Sequence, residues 1–584
     1  MVKQALKNNY LLIGTFVCFV VALEMLRAPV YGGTLTVMLT CVPGSYDFVD
    51  TLLPMFVMLA DAAVLSLPAL FVRRRRWIVY AWIALFCCYV TVERMYMHVY
   101  HDAMPFSHFL LWGNVNGTLL RSAGGLFGAG ELVAFLPLFV LIFVGRKLPE
   151  PRRYGRGTVL SVIGCALAGY AVGAAYNVSR LGRNYSITQP YTTMYKACGY
   201  ICDNGFVPYV VYSVVTAVTP DRLSDDDRHR IESYLARQPR YTDNSYASPQ
   251  RRNVIVIVVE SLNSWMLDRT VCGVEVMPHV DSLLHREGTV AALKLLPQVK
   301  DGRSSDGHFI INTGLLPLSS GSVATSYAHN RRYPSLARAL KRHGYTSFNM
   351  VCDQASAWNQ QELAQALGFD RFYDCTAQST GDDLSDEAML RAAVDSIAAS
   401  PKPVFAHLVT LNTHQPYRAP DSPTALSRVD APRRVAYALE AFHRLDAQIG
   451  DFLDRLRRRG LLENSIVAIV SDHNDVDLNE LEGREPTVDD TYCAMIVTGT
   501  VVTKSIDTPA GQVDIYPTLL DLAGCNDYSW KGLGSSLLRR EPASAAYCDG
   551  TLVGADRRTL EAWDVSRRII KGNFFANSEL VDNQ

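Results

Sequence analysis

Three apolar stretches of the chain are each followed by side chains that can bind a metal or move a proton. Glu260 comes after NVIVIVV, His414 comes shortly after VFAHLVTL, and Asp472 and His473 come shortly after IVAIV. A single carboxylate at such a place is usually a helix cap or a solvated turn. Because the carboxyl ends of parallel strands share one edge of a sheet, four such side chains together indicate a common site.

The chemistry of this set fits a metal. Glu260 and Asp472 offer carboxylate oxygens, and His473 offers an imidazole nitrogen. A mixed set of oxygen and nitrogen ligands suits zinc or manganese, and also magnesium. We therefore expect one divalent metal ion (Mn, Mg or Zn) at the sheet edge, with room for a catalytic group beside it.

A candidate for that group lies in Lys300–His308 (KDGRSSDGH). Gly302 permits a tight turn, and Ser304 then begins a predicted helix, SDGHFIINTGLL. A hydroxyl at a helix start faces free backbone N–H groups and the positive end of the helix dipole, which favour an anion. A nearby metal would lower the pKa of that hydroxyl and make it a nucleophile. Alternatively, Ser304 or Ser305 merely caps the helix.

The elements that must position these groups read as an α/β domain. Asn253–Val259, Val404–Leu411 and Ile466–Val470 are apolar and β-branched, as buried central strands are. Helical patterns such as Leu336–His343 and Leu363–Leu367 alternate with them. The alternation predicts a mostly parallel central sheet with helices on both sides.

The first third of the chain has a different character. Hydrophobic residues make up 49% of the chain and charged residues 19%, and the excess apolarity lies in five runs near residues 10–26, 52–72, 77–95, 129–145 and 157–176. A hydrocarbon core about 30 Å thick needs roughly 20 such residues per helix. We therefore predict an α-helical membrane domain of five transmembrane helices at residues 1–178, a connecting segment at 179–250 and a catalytic domain at 251–584.

Basic residues set the predicted orientation. Lys3 and Lys7 precede the first run, Arg73–Arg76 follow the second, and Arg146–Arg156 follow the fourth. Because basic loops stay in the cytoplasm, these segments share the cytoplasmic face, and residues beyond about 180 lie outside. The protein is thus predicted in the cell (inner or cytoplasmic) membrane, with the bilayer as a partner. A net charge of −1 gives no pull toward nucleic acid.

The motifs resemble those of one family. Their order is NVIVIVVES, MPHVDSL, GRSSDGHF, NTHQPY, SDHND and DIYPTLLDLAG. This order is similar to the sulfatase-like branch of the alkaline phosphatase superfamily, and five spans before an outer domain resemble lipoteichoic acid synthases. The resemblance implies that Ser304 is the nucleophile and that Glu260, Ser304, Asp472 and His473 hold the metal.

The resemblance also implies a substrate site. His414 matches the family's substrate-site histidine, Arg303 stands where relatives often have Lys, and Trp358-Asn359 match a phosphate-binding segment. Gln360 replaces the Arg expected after Asn359, and Ser304 replaces the commoner Thr. The formylglycine signature of true sulfatases, Cys/Ser-x-Pro-x-Arg, is absent from the sequence, which disfavours sulfate-ester hydrolysis.

The predicted function is a membrane-anchored phosphotransferase. Ser304 would take the headgroup of a phospholipid donor, glycerophosphate or phosphoethanolamine, and His414 would assist its transfer to an extracytoplasmic glycan or lipid acceptor. One alternative is a phosphoester or sulfate-ester hydrolase of the same superfamily. Another is a non-catalytic membrane sensor, which the intact set of Glu260, Ser304, Asp472 and His473 argues against.

Overall fold

The computed structural model describes most of the chain between residues 2 and 576. The longer ranges outside the description are 32–45, 107–127, 182–200, 375–384 and 479–490. The chain forms two compact units, Met1–Pro220 and Asp221–Gln584. The predicted domain boundaries at 178 and 250 stay a prediction.

The first unit is helical, as predicted. Its described α-helices are α1 Val2–Tyr31, α2 Tyr46–Leu65, α3 Leu67–Phe71, α4 Arg76–Tyr100, α5 Leu136–Gly145, α6 Arg156–Leu181 and α7 Phe206–Val218, with a 3₁₀ turn Ala129–Phe135 before α5. Three described segments are long and apolar enough to cross a membrane: Asn9–Arg27, Arg76–Met97 and Arg156–Tyr176. Met55–Phe71, Leu132–Gly145 and Phe206–Val215 are shorter apolar helices. The chain is therefore a membrane protein, and the count of five spans stays a prediction.

Helix α7 was not predicted, because its 13 residues are fewer than a spanning helix needs. The buried Asp61 of α2 holds the start of α7. Its carboxylate accepts hydrogen bonds from the N–H groups of Phe206, at 2.6 Å, and Val207, at 2.9 Å. These N–H groups lack partners inside the helix, so a carboxylate from another helix caps α7.

The second unit is built on a nine-stranded sheet. Its strands are β1 Asn253–Val259, β4 Val290–Leu296, β5 Thr346–Val351, β6 Arg371–Tyr373, β7 Val404–Val409, β8 Ser465–Ser471, β9 Cys493–Thr498, β10 Lys504–Ile506 and β11 Ala510–Gly511, and two small hairpins comprise β2 Thr270–Val271 with β3 Val274–Glu275 and β12 Ser544–Ala546 with β13 Leu552–Gly554. The order is β10-β4-β9-β8-β1-β7-β5-β6, with β11 beside β4. Strand β9 runs antiparallel to both neighbours and the other pairs are parallel, which confirms the predicted fold class.

Helices cover both faces of this sheet. They are α8 Asp225–Ala236, α9 Pro278–Leu284, α10 Arg303–Thr313, α11 Val323–Tyr327, α12 Leu336–Arg342, α13 Gln360–Leu367, α14 Asp386–Ala398, α15 Arg433–Arg458, α16 Ile515–Leu522 and α17 Arg558–Lys571. Alternate residues of β1 enter two separate hydrophobic cores. One core includes residues of α10, α12, α16 and α17, and the other includes residues of α9, α14 and α15. All seven residues of β1 are buried, which explains why the strand is continuously apolar.

Helix α8 belongs to the second unit. Ser224 caps it by accepting the Asp227 N–H at 3.1 Å. Its buried Ile231 and Tyr234 are part of the core on the α10 face. Arg568 of α17 pairs with Asp227 of α8, so the first and last helices of the unit are joined.

Candidate active site

The three central strands end at the same level of the sheet. Val259 of β1 lies beside Ser471 of β8, and Val258 lies beside Val409 of β7. The loops that follow these strands therefore start side by side. They carry Glu260, Asp472-His473 and His414, as the sequence predicts.

Glu260 is buried directly after β1. Its N–H donates to Thr410 Oγ1 at 3.1 Å, which fixes the backbone against the loop after β7. Its Oε1 accepts the Ser261 hydroxyl at 2.7 Å, and its Oε2 accepts the Ser304 hydroxyl at 2.8 Å. The carboxylate thus joins the strand end to the candidate nucleophile.

Asp472 is fully buried, and its two oxygens differ. Oδ1 accepts the N–H groups of Ser261, at 2.8 Å, and His473, at 2.6 Å. Oδ2 has no hydrogen-bond partner in the described part of the chain. A buried anionic oxygen without a partner is costly, so Oδ2 is placed for a ligand.

The imidazole of His473 is oriented by its own loop. Nδ1 lies 2.9 Å from the carbonyl oxygen of Asn474, which can only accept, so Nδ1 carries the hydrogen. Nε2 therefore faces Ser304 Oγ at 3.3 Å, Glu260 Oε1 at 3.3 Å and Asp472 Oδ2 at 3.7 Å. In the neutral ring Nε2 can only accept a hydrogen bond, and the carboxylate oxygens around it can only accept as well.

The electrostatics show that these groups need a shared positive charge. Burial, reinforced by the negative Glu260, raises the pKa of Asp472 to about 7. Burial alone would lower the pKa of His473, but Asp472 and Glu260 raise it to about 9. Burial opposes ionisation of Glu260, but the positive His473 holds its pKa well below the usual range. A proton on His473 supplies the charge when no cation is present.

A divalent cation fits the same place. The candidate ligand atoms of Glu260, Asp472 and His473 all lie within 4.8 Å of one another. The donor set of carboxylate oxygens and an imidazole nitrogen, together with the unpartnered Asp472 Oδ2, suits such an ion. The residues present therefore fit the divalent metal expected from the sequence.

The structure separates the two candidate serines. Ser304 Oγ lies against Glu260 and His473, whereas Ser305 is buried and its hydroxyl donates to the Gly302 carbonyl at 2.9 Å and lies 2.8 Å from Ser322 Oγ. Arg303 precedes Ser304 with a φ of 40°, a left-handed conformation that is uncommon for a residue with a side chain. This sharp entry into α10 presents Ser304, and not Ser305, to the carboxylates.

Two glycines and one carboxylate form this entry. Asp306 Oδ2 accepts the N–H groups of Lys300, at 3.1 Å, and Gly302, at 3.0 Å. A Cβ on Gly302 would lie 2.1 Å from Asp306 Oδ1, so a side chain there would break the turn. A Cβ on Gly307 would lie 2.4 Å from the carbonyl oxygen of Asp472, so α10 packs directly on the metal-site backbone.

His414 lies at the exposed rim of the site. Its Nδ1 is hydrogen-bonded to the carbonyl oxygen of Gln415, so Nδ1 carries the hydrogen and the neutral Nε2 is an acceptor. The charge of His414 contributes to lowering the pKa of Glu260, which is consistent with a position near the carboxylates.

The remaining predicted site residues are Arg303, Trp358 and Asn359. Arg303 directly precedes Ser304. Its positive charge lowers the pKa of His473, but by less than Asp472 and Glu260 raise it. Trp358 and Asn359 follow β5 and are half-buried, each with a φ of 51°. The described hydrogen bonds do not connect them to Ser304. Consecutive left-handed residues are strained, which is typical of binding segments.

Sequence reasoning missed three supporting residues. Ser261 bonds to both Glu260 and Asp472, and its φ is 59°. Gln512 is fully buried and donates to the carbonyl oxygens of Asp472, at 2.7 Å, and Ser471, at 3.2 Å. Asp475 holds the loop of His414. Gln512 is 40 residues from Asp472, and Asp475 is 60 residues from Gln415, so no spacing pattern predicts these bonds. Ser261 could have been found, because it directly follows Glu260 in the sequence.

Residues 252–525 match the sulfatase family. Lipoteichoic acid synthase from Staphylococcus saprophyticus is 25% identical over 535 residues, covering 82% of this chain and 78% of that protein. Lipoteichoic acid synthase 1 from Bacillus subtilis is 24% identical over 474 residues, covering 76% and 73%.

A solved structure supports the fold of the second unit. The lipoteichoic acid synthase LtaP from Listeria monocytogenes aligns with a TM-score of 0.51 at 20% identity, covering 61% of this chain and 99% of that chain. The predicted similarity to lipoteichoic acid synthases is confirmed, and the match to the sulfatase family supports the predicted enzyme.

Proposed function

We propose that this protein is a membrane-anchored phosphotransferase that moves the headgroup of a phospholipid to an extracytoplasmic acceptor through a phospho-Ser304 intermediate. The observation that carries the proposal is the approach of Ser304 Oγ to Glu260 Oε2, at 2.8 Å, and His473 Nε2, at 3.3 Å. A serine that merely capped a helix would bond to its own backbone. The headgroup is glycerophosphate or phosphoethanolamine, and the experiment below distinguishes the two.

In the first step Ser304 Oγ attacks the phosphorus of the donor. The bond from phosphorus to Ser304 forms, and the bond to the diacylglycerol oxygen breaks. The hydrogen of Ser304 points at Glu260 Oε2, so this carboxylate takes the proton as Oγ attacks. The departing diacylglycerol oxygen takes a proton from water. Diacylglycerol stays in the membrane as the leaving group.

Glu260, Asp472 and His473, with Ser304, would hold the divalent ion. When bound, such an ion supplies a Lewis acid that lowers the pKa of a nearby hydroxyl and neutralises phosphate charge. The chain itself supplies the rigid frame: Ser261 and Gln512 hold Asp472, and Thr410 holds the backbone of Glu260. Arg303 is placed to add positive charge beside the phosphate.

In the second step an acceptor hydroxyl attacks phospho-Ser304. The new bond joins the acceptor oxygen to phosphorus, and the bond to Ser304 Oγ breaks. His414 takes the proton of the incoming hydroxyl in this proposal, and its exposed, neutral Nε2 as an acceptor supports that role. The apolar helices keep the domain at the bilayer, which raises the effective concentration of a lipid donor.

The test uses the full chain in detergent with phosphatidylglycerol and phosphatidylethanolamine, each supplied separately. Mass spectrometry of the peptide containing Ser304 should show an adduct whose mass identifies the headgroup. Ser304→Ala should abolish the adduct, and the matched control Ser305→Ala should retain it because Ser305 bonds to Gly302 and Ser322 instead. An adduct that persists in Ser304→Ala would refute the nucleophile. Free headgroup phosphate as the sole product, even with an acceptor present, would indicate hydrolysis.

A further inference from the structure

A buried carboxylate outside the metal cluster joins two loops of the site. Asp475 lies in the loop after β8, and its side chain is 6% exposed. Its Oδ2 accepts the side-chain amide of Gln415 and, at 2.8 Å, the hydroxyl of Tyr417. Both donors belong to the loop after β7 that carries His414. One oxygen atom therefore holds both sides of the tip of that loop.

The backbone of Asp475 is held in turn by the loop after β1. The side-chain oxygen of Asn263 accepts the Asp475 N–H at 2.7 Å, and its amide donates to the Asp475 carbonyl at 2.8 Å. Asn263 is fully buried. The loops after β1, β8 and β7 thus form one connected brace, Asn263–Asp475–Gln415/Tyr417.

The base of the His414 loop has separate supports. Thr413 Oγ1 donates to the Glu260 carbonyl at 2.7 Å. The buried Asp386 accepts the N–H groups of Leu411, at 2.8 Å, and Asn412, at 3.0 Å. Loss of the Asp475 carboxylate therefore leaves the base in place and releases the tip, where His414 is exposed.

We propose that Asp475 is a positioning residue that fixes His414 for transfer of the headgroup to the acceptor. The inference rests on the proposed function, in which phospho-Ser304 is attacked by an acceptor hydroxyl. In that step the acceptor oxygen bonds to phosphorus, and its proton passes to His414 Nε2. Ser304 Oγ keeps the electron pair of the broken bond and regains its proton from Glu260 Oε2. In the proposed first step the Ser304 proton passes to Glu260 and the leaving oxygen is protonated by water, so that step does not require His414.

Because His414 acts in the second step of the proposed reaction, loss of the Asp475 carboxylate should slow only that step. Asp475→Ala should leave the first release of diacylglycerol near the wild-type rate and slow later turnovers about 10- to 100-fold, since misplacement of a catalytic group by about 1 Å costs of this order. Phospho-Ser304 should then accumulate. Asp475→Asn keeps an oxygen that can accept, so it should recover part of the second-step rate.

The measurement resolves both steps in one assay. The full chain in detergent is mixed with phosphatidylglycerol bearing a fluorescent acyl chain, with glycerol as the acceptor probe. Fluorescent diacylglycerol reports the burst and the steady state, and mass spectrometry reports phospho-Ser304. Calorimetric titration with Mn²⁺ shows whether the neighbouring metal ligands are intact, and the affinity should be unchanged.

Glu440 offers a matched control. Its buried carboxylate accepts the hydroxyls of Thr424, at 2.9 Å, and Ser427, at 2.6 Å, so it braces another loop in the same way. Glu440→Ala should lower the melting temperature at least as much as Asp475→Ala, because Glu440 also accepts the backbone N–H groups of Thr424, at 2.7 Å, and Ser427, at 3.1 Å. It should leave the ratio of burst to steady-state rate unchanged.

A double-mutant cycle separates the brace from a general loss of stability. If Asp475 acts through its two partners, Asp475→Ala should add no further slowing in the Gln415→Ala/Tyr417→Phe background. Equal slowing of both steps, weaker Mn²⁺ binding, or additive effects in the cycle would overturn the inference. Absence of phospho-Ser304 in the wild type would instead refute the proposed function.

Discussion

Replacement of Gly307 by alanine tests how closely the nucleophile helix must approach the metal site. Gly307 lies inside α10, three residues after Ser304, and a Cβ there would lie 2.4 Å from the carbonyl oxygen and 2.9 Å from the Cα of Asp472. Both are backbone atoms and cannot rotate away. The helix and the Asp472 loop must therefore move apart.

The size of the movement follows from the contact. Real Cβ contacts are essentially never shorter than 3.0 Å, so the separation must increase by about 0.6 Å, and by about 1 Å to reach ordinary contact. Displacement of a reacting group by about 1 Å can cost roughly 100-fold in rate. Overpacking costs about 1–3 kcal/mol, partly offset by about 0.5–1 kcal/mol because alanine favours the helix. We expect a folded protein with roughly 100-fold lower turnover.

The assay compares release of fluorescent diacylglycerol with the melting temperature. Gly450→Ala is the matched control, because Gly450 also lies inside a helix, and its added Cβ would lie 2.6 Å from the side chain of His279 on the other face of the sheet. A side chain can move, and Ser304 is remote. Gly450→Ala should therefore lose some stability and keep its rate.

Two results would contradict this reasoning. Wild-type turnover in a folded Gly307→Ala variant would show that the approach of α10 to Asp472 does not set the position of Ser304. Equal losses of rate in the Gly307 and Gly450 variants would attribute the effect to stability.

Asp472→Asn should weaken Mn²⁺ binding at least tenfold in calorimetric titration, because the unpartnered Oδ2 loses its charge; an unchanged affinity would remove Asp472 from the ligand set. The pKa values of Asp472 and His473 are raised to about 7 and about 9 in the metal-free protein, so protons compete with the ion and Mn²⁺ affinity should increase as the pH rises through this range. A pH-independent affinity would contradict that coupling. Ser304→Thr should keep turnover within about tenfold, since the added methyl leaves the oxygen in place; loss of the adduct would show that the site excludes the methyl. A reporter fused at residue 240 should be active only outside the cytoplasm, as the basic loops predict, and a cytoplasmic signal would reverse the proposed orientation.

The sequence alone predicted the frame of the site well. The strands β1, β7 and β8 are short, continuous and β-branched, and the parallel sheet places their ends together, so the approach of Glu260 and Asp472-His473 followed from pattern and topology. Ser304 was placed at the start of a helix, but the choice against Ser305 came from the resemblance. The left-handed Arg303 explains the choice physically, and backbone dihedrals cannot be read from periodicity.

Long-range side-chain bonds account for what the sequence could not predict. Gln512 reaches Asp472 across 40 residues, and Asn263 reaches Asp475 across 212. Such pairs have no spacing signal, because each partner belongs to a different loop. Helix α7 escaped prediction for another reason: its apolar run is short, and its capping carboxylate Asp61 lies 145 residues earlier.

The contacts between α8 and α17 determine where a protease can cut the chain and still release an intact catalytic domain from the apolar helices. Arg237 at the end of α8 pairs with Glu561 of α17 at 2.5 Å. Ile231 of α8 belongs to the hydrophobic core that also includes residues of α10 and α17. A protease that cut before Asp221 would release a domain with this helix pair intact. A cut between α8 and β1 would leave α8 attached only by packing, and its departure would uncover apolar core to water. We expect a soluble, active shed form to begin before α8.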